Sequence, residues 1–174
     1  MGLATVRGIV EQHEGFIKVQ SIPFEGTVFE LYFPVLKEEQ VESIDKDDRV
    51  FVGSEQILFV DDEEMLAKMG KEMLSELGYR VTSTTSALTA LEMIRKNPYT
   101  FNLLITDQTM PGLTGLELAQ EVIKIRSDLP IILSTGYSSK ISAEEARLNG
   151  ISEICMKPLS ITELSQLVRK CLDR

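Results

Sequence analysis

The chain has 174 residues, of which 43% are hydrophobic and 26% are charged, and its formal net charge is −9. These fractions are typical of a globular protein, and no apolar run approaches the roughly 20 residues that cross a bilayer. The negative charge argues against a nucleic-acid surface, which needs clustered Lys and Arg. We therefore expect contact with neither membranes nor nucleic acid. The two cysteines, Cys155 and Cys171, have neither CxxC spacing nor a secreted-type framework, which predicts reduced thiols in a cytoplasmic protein.

The first 37 residues have the pattern of a helix followed by a β-hairpin. Apolar residues recur at helical spacing from Leu3 to Val10. Residues 16–20 and 27–33 then alternate in polarity on either side of a turn rich in Pro and Gly, which predicts two antiparallel strands. Because this segment, residues 1–37, is so small, we do not expect it to be stable on its own.

A linker and then a second, larger domain follow. Residues 38–55 hold seven acidic side chains and two basic ones, which predicts a solvated acidic linker. Residues 56–174 alternate strand and helix patterns, the signature of successive βαβ units and of a doubly wound α/β domain. The strand patterns lie at 57–60, 80–84, 103–105, 131–133 and 151–155, and the helical ones near 63–77, 86–96, 114–126, 140–149 and 160–172.

Acidic side chains and a lysine follow three of these strand patterns. Asp61 and Asp62 come after the first, Asp107 after the third, and Lys157 after the last. Parallel strands bring their carboxyl ends to one edge of the sheet, where open α/β sheets place their binding sites. The sequence therefore predicts an acidic pocket with one cation beside it.

This pocket is suited to a divalent metal ion. Carboxylates in a small space repel one another, and a hard cation removes that repulsion. Mg²⁺, or Mn²⁺ in its place, suits one or two carboxylates completed by water and a phosphate oxygen. We expect Asp62, Asp107 and the backbone carbonyl of Thr109 to be direct ligands, and Asp61 to act through metal-bound water.

The same pocket can support phosphoryl transfer. Asp107 stands alone at the end of the middle strand and is the candidate nucleophile, because the metal and Lys157 would offset charge on the transferring oxygens. Thr135, at the end of the fourth strand, can donate to a phosphoryl oxygen, while Gly136 leaves room for it.

Each residue also has a purely structural interpretation. Asp61 and Asp62 could cap the helix that begins near Glu63, and Asp107 could belong to a turn before Pro and Gly. Lys157 could be an ordinary solvated lysine, and Thr135 a strand residue that meets a turn glycine. Because all of these residues lie at the ends of successive predicted strands, a shared functional site is favoured over the separate structural interpretations.

These motifs resemble the receiver domain of two-component response regulators, and the resemblance covers residues 56–174. It implies a flavodoxin-like five-stranded parallel sheet in the order 2-1-3-4-5. It also implies that Asp107 accepts phosphate from a phosphohistidine, on a histidine kinase or a histidine phosphotransfer protein, while the acidic pair binds Mg²⁺. The residues that carry the resemblance are Asp61, Asp62, Asp107, Met110, Pro111, Gly112, Gly115, Thr135, Lys157 and Pro158.

One position departs from the family pattern. Three residues before the lysine, where the family often has Tyr or Phe, this chain has Ile154. An isoleucine lacks the polar tip and the ring of the aromatic residue that turns inward on phosphorylation. The alternative is therefore a receiver-like interaction module that is not phosphorylated. A phosphohydrolase with an aspartyl intermediate is weaker, because Asp107-Gln108-Thr109 lacks a second aspartate.

Residues 2–37 resemble the end of a histidine kinase ATP-binding domain. Gly2 to Val6 are similar to the tail of its second glycine box, and Gly26 to Phe29 to its closing hairpin. The order of the segments is that of a hybrid sensor histidine kinase, of which this chain would be the C-terminal part.

Most of the ATP-binding motifs of that family are missing, so we do not expect this chain to bind ATP or to act as a kinase by itself. The only histidine, His13, is expected at a helix C-terminus, where the helix dipole favours it. No DNA-binding domain is expected after Arg174. The apolar faces of residues 2–37 are expected to pack on the receiver or on a second copy of the chain, giving a possible homodimer.

Overall fold

The computed structural model describes residues 3–35, 49–136 and 142–173. The chain divides into two compact units, Met1–Lys46 and Asp47–Arg174. Within the described ranges, none of the helices has the length and apolar character that a membrane span requires.

The first unit is a helix followed by a β-hairpin, as predicted. Helix α1 spans Leu3–Gln12, and strands β1 and β2 span Phe16–Ile22 and Gly26–Tyr32. The two strands pair antiparallel, with Phe16 opposite Tyr32 and Val19 opposite Phe29.

The second unit is a five-stranded sheet with helices on both faces. Its strands run in the order β4-β3-β5-β6-β7, and every pair is parallel. Numbered within the unit, this is the predicted order 2-1-3-4-5, which confirms the flavodoxin-like fold. Its elements are β3 (Gln56–Val60), α2 (Glu64–Glu76), β4 (Arg80–Thr84), α3 (Ala87–Lys96), β5 (Leu103–Asp107), α4 (Gly115–Ile125), β6 (Ile131–Thr135), α5 (Ala143–Leu148), β7 (Glu153–Met156) and α6 (Ile161–Leu172).

Two buried clusters lie on opposite faces of this sheet. Side chains alternate between the faces along each strand, so Leu104 enters one cluster while Leu103 and Ile105 enter the other. Helices α3 and α4 cover the first cluster, and α2 and α6 cover the second. Because both of their faces are buried, the inner strands β3, β5 and β6 have nearly continuous apolar runs.

The last part of the predicted linker, residues 49–55, belongs to the second unit and packs against α6 without forming a regular element. The Phe51 N–H donates to Ser165 Oγ at 3.3 Å, and Glu55 pairs with Arg169 at 2.7 Å. A side chain at Gly53 would collide with the Tyr79 ring, so the close approach requires glycine. The remaining predicted linker positions, 38–48, lie outside the described residues.

Candidate functional site

The carboxyl ends of three strands bring two aspartates and a lysine together. Asp61 directly follows β3, Asp107 ends β5, and Lys157 directly follows β7. Lys157 Nζ lies 2.7 Å from Asp61 Oδ2 and 2.7 Å from Asp107 Oδ1. One ammonium group therefore bridges two carboxylates from neighbouring strands.

The remaining carboxylate oxygens accept hydrogen bonds from the backbone. Asp61 Oδ1 accepts from the Glu63 N–H at 3.1 Å, and Asp107 Oδ2 accepts from the Thr109 N–H at 2.9 Å. Both aspartates are almost completely buried. The N-cap residue of α2 is Glu63, which makes no side-chain capping hydrogen bond, so Asp61 contacts the start of the helix without capping it.

The bridging lysine stays charged. Burial alone lowers the pKa of Lys157, but its hydrogen bonds to Asp107 and Asp61 and their negative charges outweigh burial, so its pKa is raised above the ordinary value of 10.5. Two carboxylates and one ammonium leave a net charge of about −1 at this edge of the sheet.

Glycine at the start of α4 lets that helix approach the site closely. A side chain at Gly115 would collide with the Asp107 carbonyl oxygen and with Leu133. Thr114 caps the helix through a reciprocal capping box with Glu117. The loop after Asp107 is also tied to the next strand, because the Gln108 N–H donates to the Ser134 carbonyl at 2.8 Å.

The other predicted site residues are placed differently. Thr135 is buried at the end of β6, and its carbonyl accepts the Lys157 N–H at 2.8 Å. Asp62 and Thr109 are exposed on the loops that follow β3 and β5. The structure thus brings Asp61, Asp107 and Lys157 into direct contact.

The site contains potential ligands for a metal ion. In the described part of the chain, no three His, Cys, Asp or Glu side chains converge as a ligand group. Asp61 and Asp107, however, both lie within 2.7 Å of the same Lys157 nitrogen, so they already enclose a cation-binding position. Two hard carboxylates fit Mg²⁺, which proteins bind through one or two carboxylates while the ion keeps several waters. The assignment of Asp62 and the Thr109 carbonyl as ligands stays a prediction.

Sequence reasoning did not single out Ser134, although it lies in register with Asp107 on one side and Cys155 on the other. Its side chain is buried next to the Cys155 thiol. Burial raises the pKa of the neighbouring Cys155 thiol to about 11, and this thiol donates to the Leu133 carbonyl. The sequence feature that could have identified Ser134 is its position as a polar residue directly after the apolar run from Ile131 to Leu133.

The departure from the family pattern lies in β7, the strand that Lys157 directly follows. Ile154, in β7, is half-buried and packs against the cluster covered by α3 and α4. It is paired in register with Leu133 of β6.

Comparisons with known proteins agree on one family. Residues 57–169 match the family described as response regulator receiver domain. Sensor kinase CckA of Brucella abortus is 28% identical over 183 residues, an alignment that covers all of this chain and 19% of that protein. The chain therefore spans about a fifth of the length of this curated relative.

Solved structures show the same fold. A response regulator receiver domain protein from Clostridium thermocellum has a TM-score of 0.66 at 28% identity, covering 69% of this chain and 95% of that one. The receiver domain of sensor histidine kinase PA1611 from Pseudomonas aeruginosa has a TM-score of 0.63 at 22% identity, covering 70% of this chain and 100% of that one. That structure has a magnesium ion coordinated in its active site cleft.

Proposed function

Because this chain belongs to the response regulator receiver domain family, we propose that it accepts a phosphoryl group on Asp107 from a phosphohistidine, as part of a two-component phosphorelay. One observation carries the proposal: the buried Asp107 carboxylate is held by the Lys157 ammonium at 2.7 Å, beside a second buried carboxylate. A buried nucleophile next to a fixed positive charge is the arrangement that phosphoryl transfer needs.

In the proposed reaction, an Asp107 carboxylate oxygen forms a bond to phosphorus while the P–N bond of the donor phosphohistidine breaks. The donor imidazole keeps the bonding electrons and takes up a proton. Lys157 offsets negative charge on the phosphoryl oxygens, and the Thr135 hydroxyl donates a hydrogen bond to one of them. Water later attacks phosphorus, which releases inorganic phosphate and restores the Asp107 carboxylate.

We propose Mg²⁺, or Mn²⁺ in its place, as the cofactor, held by Asp107, Asp61 and Asp62 with the Thr109 carbonyl. When bound, such an ion neutralises charge on the transferring oxygens. The paired carboxylates of Asp61 and Asp107 and the magnesium reported for the PA1611 receiver domain support this assignment.

The experiment is phosphorylation by a small phosphodonor such as acetyl phosphate, with and without Mg²⁺, followed by intact-mass spectrometry. The wild-type chain should gain one phosphate only when Mg²⁺ is present, and Asp107→Asn should gain none. Asp128→Asn, which changes an exposed aspartate in a distant loop, is the matched control and should be labelled normally. Labelling of the Asp107→Asn protein to the wild-type level would contradict the proposal.

A second candidate is a receiver-like interaction module that is not phosphorylated. It is favoured by Ile154, which stands where the family often has Tyr or Phe. Beryllofluoride, a mimic of the phosphoryl group, separates the two candidates. A phosphoacceptor should show Mg²⁺-dependent shifts of amide resonances around Asp107, whereas an inert module should show neither these shifts nor measurable Mg²⁺ binding.

We propose further that the chain is part of a cytoplasmic portion of a hybrid sensor kinase. Residues 1–37 would be the end of its ATP-binding domain, 38–55 its linker and 56–174 its receiver. The alignment of a sensor kinase with the whole chain supports this. The donor would be a phosphohistidine on the kinase or on a histidine phosphotransfer protein.

The hairpin supplies a candidate surface for a homodimer through residues 2–37. Ile17, Val19, Phe29 and Leu31 share one face, because Ile17 pairs with Leu31 and Val19 with Phe29. Three of these four side chains are exposed. Light scattering should detect dimers that dissociate when Val19 and Phe29 are replaced by Ser. A wild-type monomer at high concentration would count against the dimer.

A further inference from the structure

Residues 51–55, called the strap below, precede the first strand of the second unit and dock on that unit. The Gly53 N–H donates to the carbonyl of Leu77, the C-cap residue of α2, at 3.0 Å. At the start of β4, the Arg80 N–H donates to the Glu55 carbonyl at 2.9 Å. The strap is therefore held to α2 and β4 by backbone hydrogen bonds.

The strap also contacts α6 at two points. The Phe51 N–H donates to Ser165 Oγ at 3.3 Å, and Glu55 pairs with Arg169 at 2.7 Å. Arg169 has a second carboxylate partner at the end of α6, because its Nη2 lies 3.4 Å from Asp173 Oδ1. Arg169 therefore keeps an ion-pair partner when Glu55 leaves, which lowers the free energy needed to release the strap.

The strap covers polar atoms that lack a partner. The Tyr79 hydroxyl and Arg169 Nε are buried, and neither has a hydrogen-bond partner among the described residues. Gly53 lies against the hydroxyl-bearing end of the Tyr79 ring, because a Cβ atom at Gly53 would collide with ring atoms Cε1 and Cζ. A buried polar group without a partner destabilises the state in which it is buried. Release of the strap would let water reach the Tyr79 hydroxyl.

Apolar packing adds little to the docking of the strap. Val52 is 68% exposed, and Phe51 is only partly buried. Among the described residues, neither of the two buried clusters of the second unit includes a member of the strap. The strap is therefore held by a few hydrogen bonds and one ion pair, which are individually weak, while the core does not depend on it.

We propose that the strap is a conformational device with a docked and a released state. In the released state, residues 51–55 leave the second unit, which stays folded, while Arg169 pairs with Asp173 alone. Release lengthens the connection between the two units by up to about 17 Å, because an extended residue spans about 3.3–3.6 Å. The strap thereby sets how far the second unit can move from the first. The inference does not depend on phosphorylation of Asp107.

Native-state hydrogen exchange of the full chain, measured by NMR in increasing sub-denaturing urea, tests the two states. The Phe51, Gly53 and Arg80 amides should share one opening reaction, because each bonds across the strap. They should exchange faster than the Leu104 amide, which donates to the Pro130 carbonyl within the sheet, and about tenfold or more slowly than unprotected amides.

A glycine substitution should populate the released state. Gly53→Ala places a Cβ atom against the ring beneath it, so the Phe51 and Arg80 amides should lose their protection. The Leu104 amide should stay protected, and urea unfolding should stay cooperative. Gly8→Ala is the matched control, because an added Cβ atom there has nothing within 4 Å, and it should leave all of these amides as in the wild type.

Two further measurements follow the ion pair and the length of the connection. Glu55→Gln should speed exchange of the strap amides about two- to fivefold, the effect of one partly exposed ion pair. Glu72→Gln, which removes the exposed pair with Lys68 on α2, should not change them. In small-angle X-ray scattering, Gly53→Ala should have a larger maximum dimension than the wild type and Gly8→Ala.

The proposal is overturned if the Phe51, Gly53 and Arg80 amides exchange only together with Leu104, because the strap would then be released only by global unfolding. Exchange at the rate of unprotected amides would also overturn it, since the strap would not be docked at all. The same holds if Gly53→Ala unfolds the second unit, keeps the strap amides protected, or leaves the maximum dimension unchanged.

Discussion

The two units of this chain differ in how far their apolar side chains are buried. Among the side chains described between residues 6 and 35, Val10 is the only apolar one that is buried. In the second unit, apolar side chains fill two clusters, one on each face of the sheet. Both units have regular, hydrogen-bonded backbones, so regular secondary structure by itself does not say where the stability of the chain lies.

The difference follows from layer geometry. A helix and a two-stranded hairpin leave at least one sheet face open, whereas helices on both sides of a five-stranded sheet remove both faces from water. Burial of apolar area supplies most of the stability of a fold. We therefore expect the second unit to fold independently and the first to depend on a partner surface.

The largest expected effect is on the separated units. Residues 47–174 alone should unfold cooperatively in urea, while residues 1–46 alone should have the far-ultraviolet circular dichroism of a mostly unfolded peptide. An isolated hairpin is marginal in water and a helix of this length is marginal as well. Cooperative unfolding of the 1–46 peptide as a monomer would contradict the expectation that the first unit depends on a partner surface.

A matched pair of leucine substitutions should show the next largest effect. Leu104, in β5, is 0% exposed, whereas Leu31, in β2, is 48% exposed. Leu104→Ala should lower the free energy of unfolding of the second unit by about 2–5 kcal/mol, because it leaves a cavity. Leu31→Ala should change it by about 0.5 kcal/mol or less. Urea denaturation of the full chain measures both, and similar losses would contradict the division.

Removal of the bridging lysine should have a smaller effect that depends on pH. Lys157→Met leaves Asp61 and Asp107 buried without their cation and should cost about 2 kcal/mol at neutral pH. Because the pKa of Lys157 is raised in the folded state, the bridge contributes fully below about pH 10.5 and is lost as the pH rises through the higher folded-state value.

The stability difference between wild type and Lys157→Met should therefore be constant near neutral pH and shrink in strongly alkaline solution. Denaturant titrations at increasing pH measure it, with the exposed Lys68→Met as control. A difference that grows above pH 10.5 would show that the lysine does not stabilise the folded state through its charge.

The smallest expected effect on stability concerns two ion pairs, one in each unit. Glu55 pairs with Arg169 at 2.7 Å, and Glu30 pairs with Lys18 at 3.0 Å on the more exposed hairpin. Glu55→Gln should lower the free energy of unfolding of the second unit by about 1 kcal/mol or less, and Glu30→Gln should have no measurable effect on it. If the two substitutions have equal effects in urea denaturation, this would argue against stable packing of residues 49–55 on α6.

Much of the fold could be predicted from sequence because strands buried on both faces have continuous apolar runs. The pattern at 57–60 corresponds to β3, Gln56–Val60, and the weaker one at 80–84 to β4, Arg80–Thr84. The run at 151–155 is less exact, since β7 spans Glu153–Met156. Ile151 is buried before the strand begins, so an apolar residue can serve the core from a loop.

The sequence was enough to place Asp61, Asp62, Asp107, Thr135 and Lys157 at strand ends, because local hydrophobic patterns specify where strands stop and parallel strands share one edge. Only the tertiary structure decided which groups meet: Lys157 pairs with Asp61 across 96 positions of chain, while the adjacent Asp62 is exposed. The burial of Ser134 next to Cys155 likewise could not be predicted from a local pattern. Such contacts depend on the directions of side chains from distant segments, which packing of the whole domain determines.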